Sequence, residues 1–211
     1  MLRSTISTAT LTVVAAFALA LSGCAGTSAK NLMTDPVFTP DTAQTYAVDG
    51  VHSSIVFKIQ HAGTADFFGN FQKMSGTLKF APNDLENSSV RVVIDTASVD
   101  TNNGDRDGHV KALFETDKYP EAIFEGANFR HRGGNRYTID GTMTFHGVTQ
   151  EMSVNAVLVG SSNMERFGPK VGFTSSFILD RTAFGVAPDM PASVLGTDVQ
   201  VMIGVEANLQ R

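Results

Sequence analysis

The sequence contains no tryptophan and a single cysteine, Cys24. Because one cysteine cannot form an intramolecular disulfide, a domain in this chain must be stable through its apolar core alone. The formal charge of −5 and the lack of a basic stripe argue against a nucleic-acid partner. Long apolar runs are missing as well, because the N-terminal run over residues 11–21 is shorter than the about 20 residues that a membrane-spanning helix needs.

The N-terminus instead has the pattern of a secretory signal. Arg3 supplies one positive charge, the apolar run follows it, and small residues end the run. The segment Leu21-Ser22-Gly23-Cys24 resembles the lipobox of bacterial lipoproteins. This resemblance implies that the Cys24 sulfur receives a diacylglycerol and that the signal is cut just before this residue. The alternative is an ordinary signal peptide followed by an unrelated cysteine.

These features divide the chain into three parts. We predict a lipoprotein signal peptide over residues 1–23, a lipidated flexible tether over residues 24–45 and a folded domain over residues 46–211. The lipobox resemblance implies a periplasmic protein that is anchored in a membrane through the lipid on Cys24. Ala25 stands where an Asp often signals inner-membrane retention, which favours the outer membrane.

The domain has an apolar residue at every second position along most of its length. Ile55, Phe57 and Ile59, for example, alternate with polar residues, which is typical of a strand with one buried face. The same alternation recurs near residues 78–80, 90–94, 137–145, 152–158, 171–177 and 199–205, and turn residues occur at 81–84, 132–135, 145–147 and 160–163. The pattern predicts about eight antiparallel strands, in a sandwich or a closed barrel, between which alternation alone does not decide.

Helical signals are few. Asp105 is a candidate cap for a short helix over residues 107–114. A second short helix is predicted to begin at Pro191 and to end at Gly196.

Several motifs of this domain resemble the YceI-like family of periplasmic, polyisoprenoid-binding-like proteins. The resemblance runs from Tyr46 to about Ala207 and implies an all-β fold, a lipocalin-like eight-stranded antiparallel β-barrel with one or two short helices. It also implies that the barrel encloses a long isoprenoid chain, such as the tail of a quinone. The motifs that carry it are Tyr46-Ala-Val-Asp49, His52-Ser53, Phe68-Gly69-Asn70-Phe71, Gly76-Thr77-Leu78, Arg106-Asp107-Gly108-His109, Lys118-Tyr119-Pro120, His146-Gly147-Val148-Thr149 and Asp180-Arg181-Thr182-Ala183-Phe184-Gly185. One departure is the segment over residues 111–116, Lys-Ala-Leu-Phe-Glu-Thr, where many members have a longer loop.

The expected ligand site is the uncharged, phenylalanine-rich inner face of the barrel. An isoprenoid tail has almost no hydrogen-bonding group, so its binding must come from apolar burial. Phe67, Phe68 and Phe71 flank a glycine-containing turn and are predicted either to gate the mouth of the barrel or to plug one end. The predicted lining residues are Ile55, Phe57, Ile59, Phe67, Phe68, Phe71, Phe80, Met143, Phe145, Phe173, Phe177, Val201 and Ile203.

Polar motifs suggest contacts to a ligand headgroup rather than catalysis. The candidates are Arg106, Asp107, His109 and Arg181, because their charge-assisted hydrogen bonds suit a quinone oxygen or a phosphate. The alternative for these residues is structural, with their side chains tying loops to strand ends. No GxSxG motif accompanies them, and the five histidines show no metal-binding spacing, so we predict neither a catalytic nor a metal site.

The sequence thus predicts a binding protein that needs no cofactor and whose ligand is an isoprenoid lipid or a quinone. Two other classes stay open. One is a quinone-linked enzyme or redox accessory that acts at the barrel mouth, and the other is a structural envelope lipoprotein with a filled barrel. The tether is also compatible with a homodimer, although alternation identifies no interface.

Overall fold

The computed structural model describes residues 40–210, except for the side chain of Met164. The predicted signal peptide, Cys24 and most of the predicted tether therefore lie outside the described residues. Within them, no helix is long and apolar enough to cross a membrane. The elements are β1 (Gln44–Val48), β2 (Ser54–His61), β3 (Ala65–Phe71), β4 (Met74–Phe80), β5 (Ser89–Asp95), β6 (Val99–Asp100), α1 (Gly104–Phe114), β7 (Glu121–His131), β8 (Arg136–Phe145), β9 (Val148–Met164), β10 (Gly168–Asp180) and β11 (Leu195–Leu209).

Eight of the strands form a closed antiparallel ring. Their order is β1-β4-β5-β7-β8-β9-β10-β11, and β11 pairs again with β1, so that Tyr46 lies opposite Leu209. A ring of this kind leaves no open sheet edge between its members, whereas a sandwich would consist of two separate sheets. The lipocalin-like eight-stranded barrel is therefore confirmed, and the sandwich is excluded.

The remaining strands extend one end of this ring. β2 pairs with the first part of β11, where Leu195 lies opposite His61, and the β2–β3 hairpin continues from there. β6 pairs with β3 only at the end of that strand, through Asn70 and Phe71. Because Leu195 and Leu209 are the two ends of β11, the hairpin and the β1 pairing mark opposite ends of the barrel.

The end next to β1 is filled by aromatic side chains and is called the closed end below. Phe80 is 1% exposed, and its ring centroid lies 5.5 Å from that of Tyr137 and 5.0 Å from that of Phe173. Tyr46 and Phe129 belong to the same buried cluster. A second buried cluster, which includes Phe145, Leu179 and Phe184, lies toward the other end. Apolar clusters therefore occur toward both ends of the barrel.

Four local predictions from the sequence are wrong. The first is the glycine-containing turn beside Phe67, Phe68 and Phe71, because these residues and Gly69 lie in strand β3. Helix α1 begins earlier than expected, and its N-cap is Asn103 rather than Asp105, because the Asn103 side chain accepts a 3.0 Å hydrogen bond from the backbone N–H of Arg106. No helix forms after Pro191, where the carbonyl only closes turns with the N–H groups of Val194 and Leu195. Residues 160–163 do not form a turn but continue β9, because a bulge beside Gly172 absorbs the irregularity.

Candidate functional site

A cavity of about 910 Å³ lies inside the barrel and is lined by residues of both buried clusters. Its volume falls in the upper part of the range of roughly 300–1,000 Å³ that is typical of small-ligand sites. Nearly all of the lining side chains that strands supply are apolar, the exceptions being His61, Thr174 and Ser175. Such a wall favours a long apolar ligand, because it offers that ligand few hydrogen-bonding groups to desolvate.

Several inward residues are only half-buried, which indicates that part of each side chain faces the cavity. Phe57, Phe173 and Ile203 point inward by the alternation of their strands, yet they keep accessible surface and line the cavity. Gly69 helps to create this space, since a Cβ atom at this position would lie 2.4 Å from the ring of Phe57. The missing side chain lets the Phe57 ring lie directly against β3.

Helix α1 lies at the end of the barrel opposite the closed end, which is called the mouth below. Val110, Leu113 and Phe114 line the cavity from this helix. Phe114 contacts Phe145, with ring centroids 5.2 Å apart. None of the helical residues is fully buried. The loop over residues 187–194 and the β2–β3 turn complete the mouth, and exposed lining residues such as Val194 show that the cavity reaches solvent there.

A stack of three side chains stands at the mouth. The Phe67 ring lies between His61, at 4.6 Å between ring centroids, and the Arg106 guanidinium, at 4.8 Å from its carbon to the ring centroid. Cation–π contacts of this kind are favourable within about 6 Å. Arg106 also donates from Nε to Thr101 Oγ1 at 2.9 Å and from a terminal nitrogen to the Thr101 carbonyl. The stack therefore joins α1 to β3 beside the cavity opening.

The structure brings most of the predicted lining residues to one cavity. Phe80 is the exception, because it packs into the closed-end cluster and does not line the cavity. Ligand contact stays a prediction for the others. Those that line the cavity are Ile55, Phe57, Ile59, Phe67, Phe68, Phe71, Met143, Phe145, Phe173, Phe177, Val201 and Ile203.

The predicted headgroup residues separate into two pairs. Arg106 and the exposed His109 line the cavity at its mouth. Asp107 does not line it, because its carboxylate accepts hydrogen bonds from the backbone N–H of Thr101 at 2.7 Å and from the Thr101 hydroxyl. These hydrogen bonds hold the pKa of the Asp107 carboxyl below its usual range. The structural alternative is thus the better description of Asp107.

Arg181 is also structural, although it touches the cavity. It is 2% exposed, and all five of its N–H donors point to backbone carbonyls. These carbonyls belong to Val186, Ala187, Met190, Leu195 and Gly196. Since no donor is left for a ligand, the structural alternative is the better description of Arg181 as well. Its role is to fasten the 187–194 loop to the start of β11.

The sequence did not predict some of the residues that line the cavity. Val199 and Val205 line the cavity from β11, and the same alternation that identified Val201 and Ile203 also identifies them. Thr101, Met190 and Val194 line it from loops, where no period exists to find them. His61 also lines the cavity, and its place at the mouth follows from the β2–β3 pairing.

One cluster with metal-ligand chemistry occurs among residues 40–210, formed by Asp49, His52 and Glu206. None of the three lines the cavity. His52 Nδ1 lies 2.9 Å from the Asp49 carboxylate, and Lys170 forms a 2.5 Å ion pair with Glu206. The Lys170 charge and the hydrogen bond between His52 and Asp49 already satisfy this group, which joins the β1–β2 turn to β11.

Asp49 gives this region a defined pH dependence. A hydrogen bond from His52, and further ones from Asn208 and the backbone N–H of Val51, hold the pKa of Asp49 well below its usual range. Because this folded-state pKa lies below the unfolded value of about 3.9, the stabilisation is complete above that value and is lost as the pH falls. We expect Asp49→Asn to be less stable than the parent at pH 6 and to lose less stability between pH 6 and pH 3.

Urea unfolding midpoints at the two pH values test this prediction. Asp189→Asn, in an exposed loop, is the matched control and should follow the parent protein. A parallel loss of stability in Asp49→Asn and the parent would contradict the assignment.

A closed antiparallel barrel around an apolar cavity defines the lipocalin-like class of small-ligand-binding barrels. The chain belongs to the YceI-like family, since the family model described as YceI-like domain matches residues 46–207. This confirms the resemblance seen in the sequence motifs.

Known proteins resemble this chain in sequence or in fold. Protein YceI of Shigella flexneri is 32% identical over 174 residues, which cover 80% of this chain and 89% of that protein. The crystal structure of Burkholderia cenocepacia BcnA shares the fold with a TM-score of 0.69 at 24% identity, covering 76% of this chain and 99% of that one. A polyisoprenoid binding domain from Saccharophagus degradans shares it with a TM-score of 0.61 at 15% identity, covering 79% and 99% of the two chains.

Proposed function

We propose that this protein binds a long-chain isoprenoid lipid, a polyisoprenoid or an isoprenoid quinone, inside the barrel and holds or carries it in the periplasm. The observation that supports this most directly is the cavity of about 910 Å³ with its apolar strand walls. The description of the Saccharophagus degradans domain as polyisoprenoid binding agrees with such a ligand. A cavity of this size argues against the alternative of a filled barrel.

Apolar burial alone is sufficient for tight binding. At about 0.3 kcal/mol per heavy atom, a ligand of roughly 40 carbons gains about 12 kcal/mol, which corresponds to nanomolar affinity. Neither a cofactor nor a catalytic group is needed for this function. The protein is therefore proposed to be a binding protein rather than an enzyme.

The mouth is the proposed place of the headgroup. Two of the five Arg106 donors go to Thr101, which leaves others for a quinone or phosphate oxygen. His109 and His61 line the cavity at the same end. The isoprenoid tail would then extend from these residues toward the aromatic cluster at the closed end.

The proposed location is the periplasmic face of a membrane, with the lipid on Cys24 as anchor. The basis is the signal-like N-terminus and the lipobox resemblance of residues 21–24. Such an anchor would keep the cavity close to the bilayer in which isoprenoid lipids dissolve. The outer membrane is the favoured site because Ala25 follows the cysteine.

Lipid extraction and mass spectrometry test the function directly. Residues 25–211 are to be secreted into a Gram-negative periplasm and purified without detergent. We expect a stoichiometric isoprenoid species, and its headgroup identifies the ligand class. A protein that contains no lipid and takes up neither added ubiquinone nor added polyprenol would overturn the proposal.

A further inference from the structure

One side of the mouth carries almost no charge. It consists of the β2–β3 turn region, residues 62–65, and the loop residues 188–194, which together are called the rim below. The two segments are adjacent, because the backbone N–H of Ala62 donates to the Val194 carbonyl at 2.8 Å. All rim residues except Met190 are exposed, and Asp189 is the only charged one among them. The rim sequences are Ala-Gly-Thr-Ala and Pro-Asp-Met-Pro-Ala-Ser-Val.

The rim is continuous with the cavity wall. Val194 lines the cavity and is also 46% exposed, and the neighbouring Phe68 lines it while being 56% exposed. Met190 lines it as well. Apolar surface therefore passes from the inside of the barrel to its outside at Met190 and Val194, while the partly exposed ion pair of Lys58 and Asp66 borders Phe68. Large exposed apolar side chains beside a ligand opening are typical of an interaction surface.

Helix α1 forms another part of the mouth, which has a different character. The first turn of α1 carries Asp105, Arg106 and Asp107, and its last turn carries Lys111. Charged side chains are costly to bring into the apolar part of a bilayer, whereas Phe, Val, Pro and small uncharged residues enter its interface readily. The two sides of the mouth are thus suited to different surroundings, one to lipid and the other to water.

We infer that the rim, together with Phe68, docks on the surface of a lipid bilayer and forms the entry path of the ligand. This inference rests on the proposed function, because an isoprenoid lipid must leave a bilayer to reach the cavity. Docking through the rim would let the tail move from the acyl chains into the barrel along a continuous apolar surface. α1 would stay on the water side and place Arg106 near the headgroup region.

The absence of tryptophan from the chain allows a direct test. Phe68→Trp and Val194→Trp each introduce a unique fluorescent reporter at the docking surface. Ile178→Trp and Val51→Trp are matched controls, because Ile178 is 65% and Val51 86% exposed but neither belongs to the rim or lines the cavity. Each full-length variant is to be reconstituted in vesicles of phosphatidylethanolamine and phosphatidylglycerol, with and without brominated phosphatidylcholine.

We expect blue-shifted emission and strong quenching by the brominated lipid for the two docking-surface variants, and neither for the controls. Equal behaviour of all four variants would overturn the inference. Unshifted emission from both docking-surface variants would do the same.

A transfer experiment separates this inference from the proposed function. Ala65→Asp and Ala192→Asp add charge to rim residues that do not line the cavity, and Ser176→Asp on the outer wall is the control. We expect each rim variant to lower the rate of ubiquinone transfer from vesicles about fivefold, as one charge at a membrane interface predicts, and to leave uptake from detergent micelles unchanged. Equal transfer rates in all variants would overturn docking alone, whereas failure of the parent to take up ubiquinone from vesicles and micelles would overturn the function.

Discussion

Ile203→Trp is expected to lower the affinity for an isoprenoid quinone about 100-fold, because excluding three or four methylene groups forfeits about 0.8 kcal/mol each. Ile203 is half-buried and lines the cavity from β11, so the indole would occupy space that the tail needs. Added volume in a well-packed core is destabilising, but here an existing cavity receives it. Folding stability should therefore stay near that of the parent protein while binding weakens.

Met202→Trp is the matched control for this change. Met202 precedes Ile203 on the same strand, points outward and is 38% exposed. Titration of ubiquinone into each variant, monitored by quenching of the introduced tryptophan or by calorimetry, gives the two affinities. Parent-like affinity in Ile203→Trp would show that the tail lies elsewhere, even if the protein binds quinone.

Arg181→Leu is expected to reduce the free energy of unfolding by at least about 4 kcal/mol, since several buried carbonyls would each lose a partner at about 1–3 kcal/mol. The five carbonyls come from two segments, the loop that includes Val186 and Ala187 and the start of β11 at Gly196. Without the guanidinium, nothing equivalent would hold these segments together. Such a loss is a large part of a typical stability of about 5–15 kcal/mol.

Two further variants make this result interpretable. Arg181→Lys keeps the charge but has only three donors in a different geometry, so we expect a loss between those of the parent and of Arg181→Leu. Arg91→Leu removes an exposed ion pair with Glu125 and should cost less than about 1 kcal/mol. Urea unfolding followed by circular dichroism measures all three. A similar small loss in Arg181→Leu and Arg91→Leu would refute the structural role.

The alternation of apolar residues was sufficient to predict strands and their inward faces, but not depth along the barrel axis. Phe80 and Phe173 both belong to inward faces, yet Phe80 is sealed in the closed end while Phe173 lines the cavity. An alternation with period two shows which side of the sheet a residue faces, but it gives no information about the position of that residue along the barrel axis. The position along the axis follows from strand register, which depends on pairing between residues far apart in sequence.

The polar candidates show a second limit of sequence reasoning. Arg181 and Arg106 both stand in motifs of the family, and both directly follow an aspartate. Their difference lies in the number of carbonyls that the fold brings to each. Backbone carbonyls carry no side-chain signature, so the saturation of Arg181 by carbonyls of residues 186–196 could not be predicted. The family resemblance predicted the closed barrel, whereas alternation alone could not distinguish a barrel from a sandwich.

The positions of the two ends of β11 also determine how a membrane-anchored tether would orient the domain. The chain enters at Gln44, which pairs with Phe80 at the closed end, while the mouth lies near Leu195. About 20 residues separate Cys24 from Gln44, and at about 3.3–3.6 Å each they can reach at most about 70 Å. The 15 residues of β11 span about 50 Å. A tether anchored at Cys24 would thus join the domain at the end far from the mouth. It would still be long enough for the barrel to turn its mouth toward the membrane that holds the anchor.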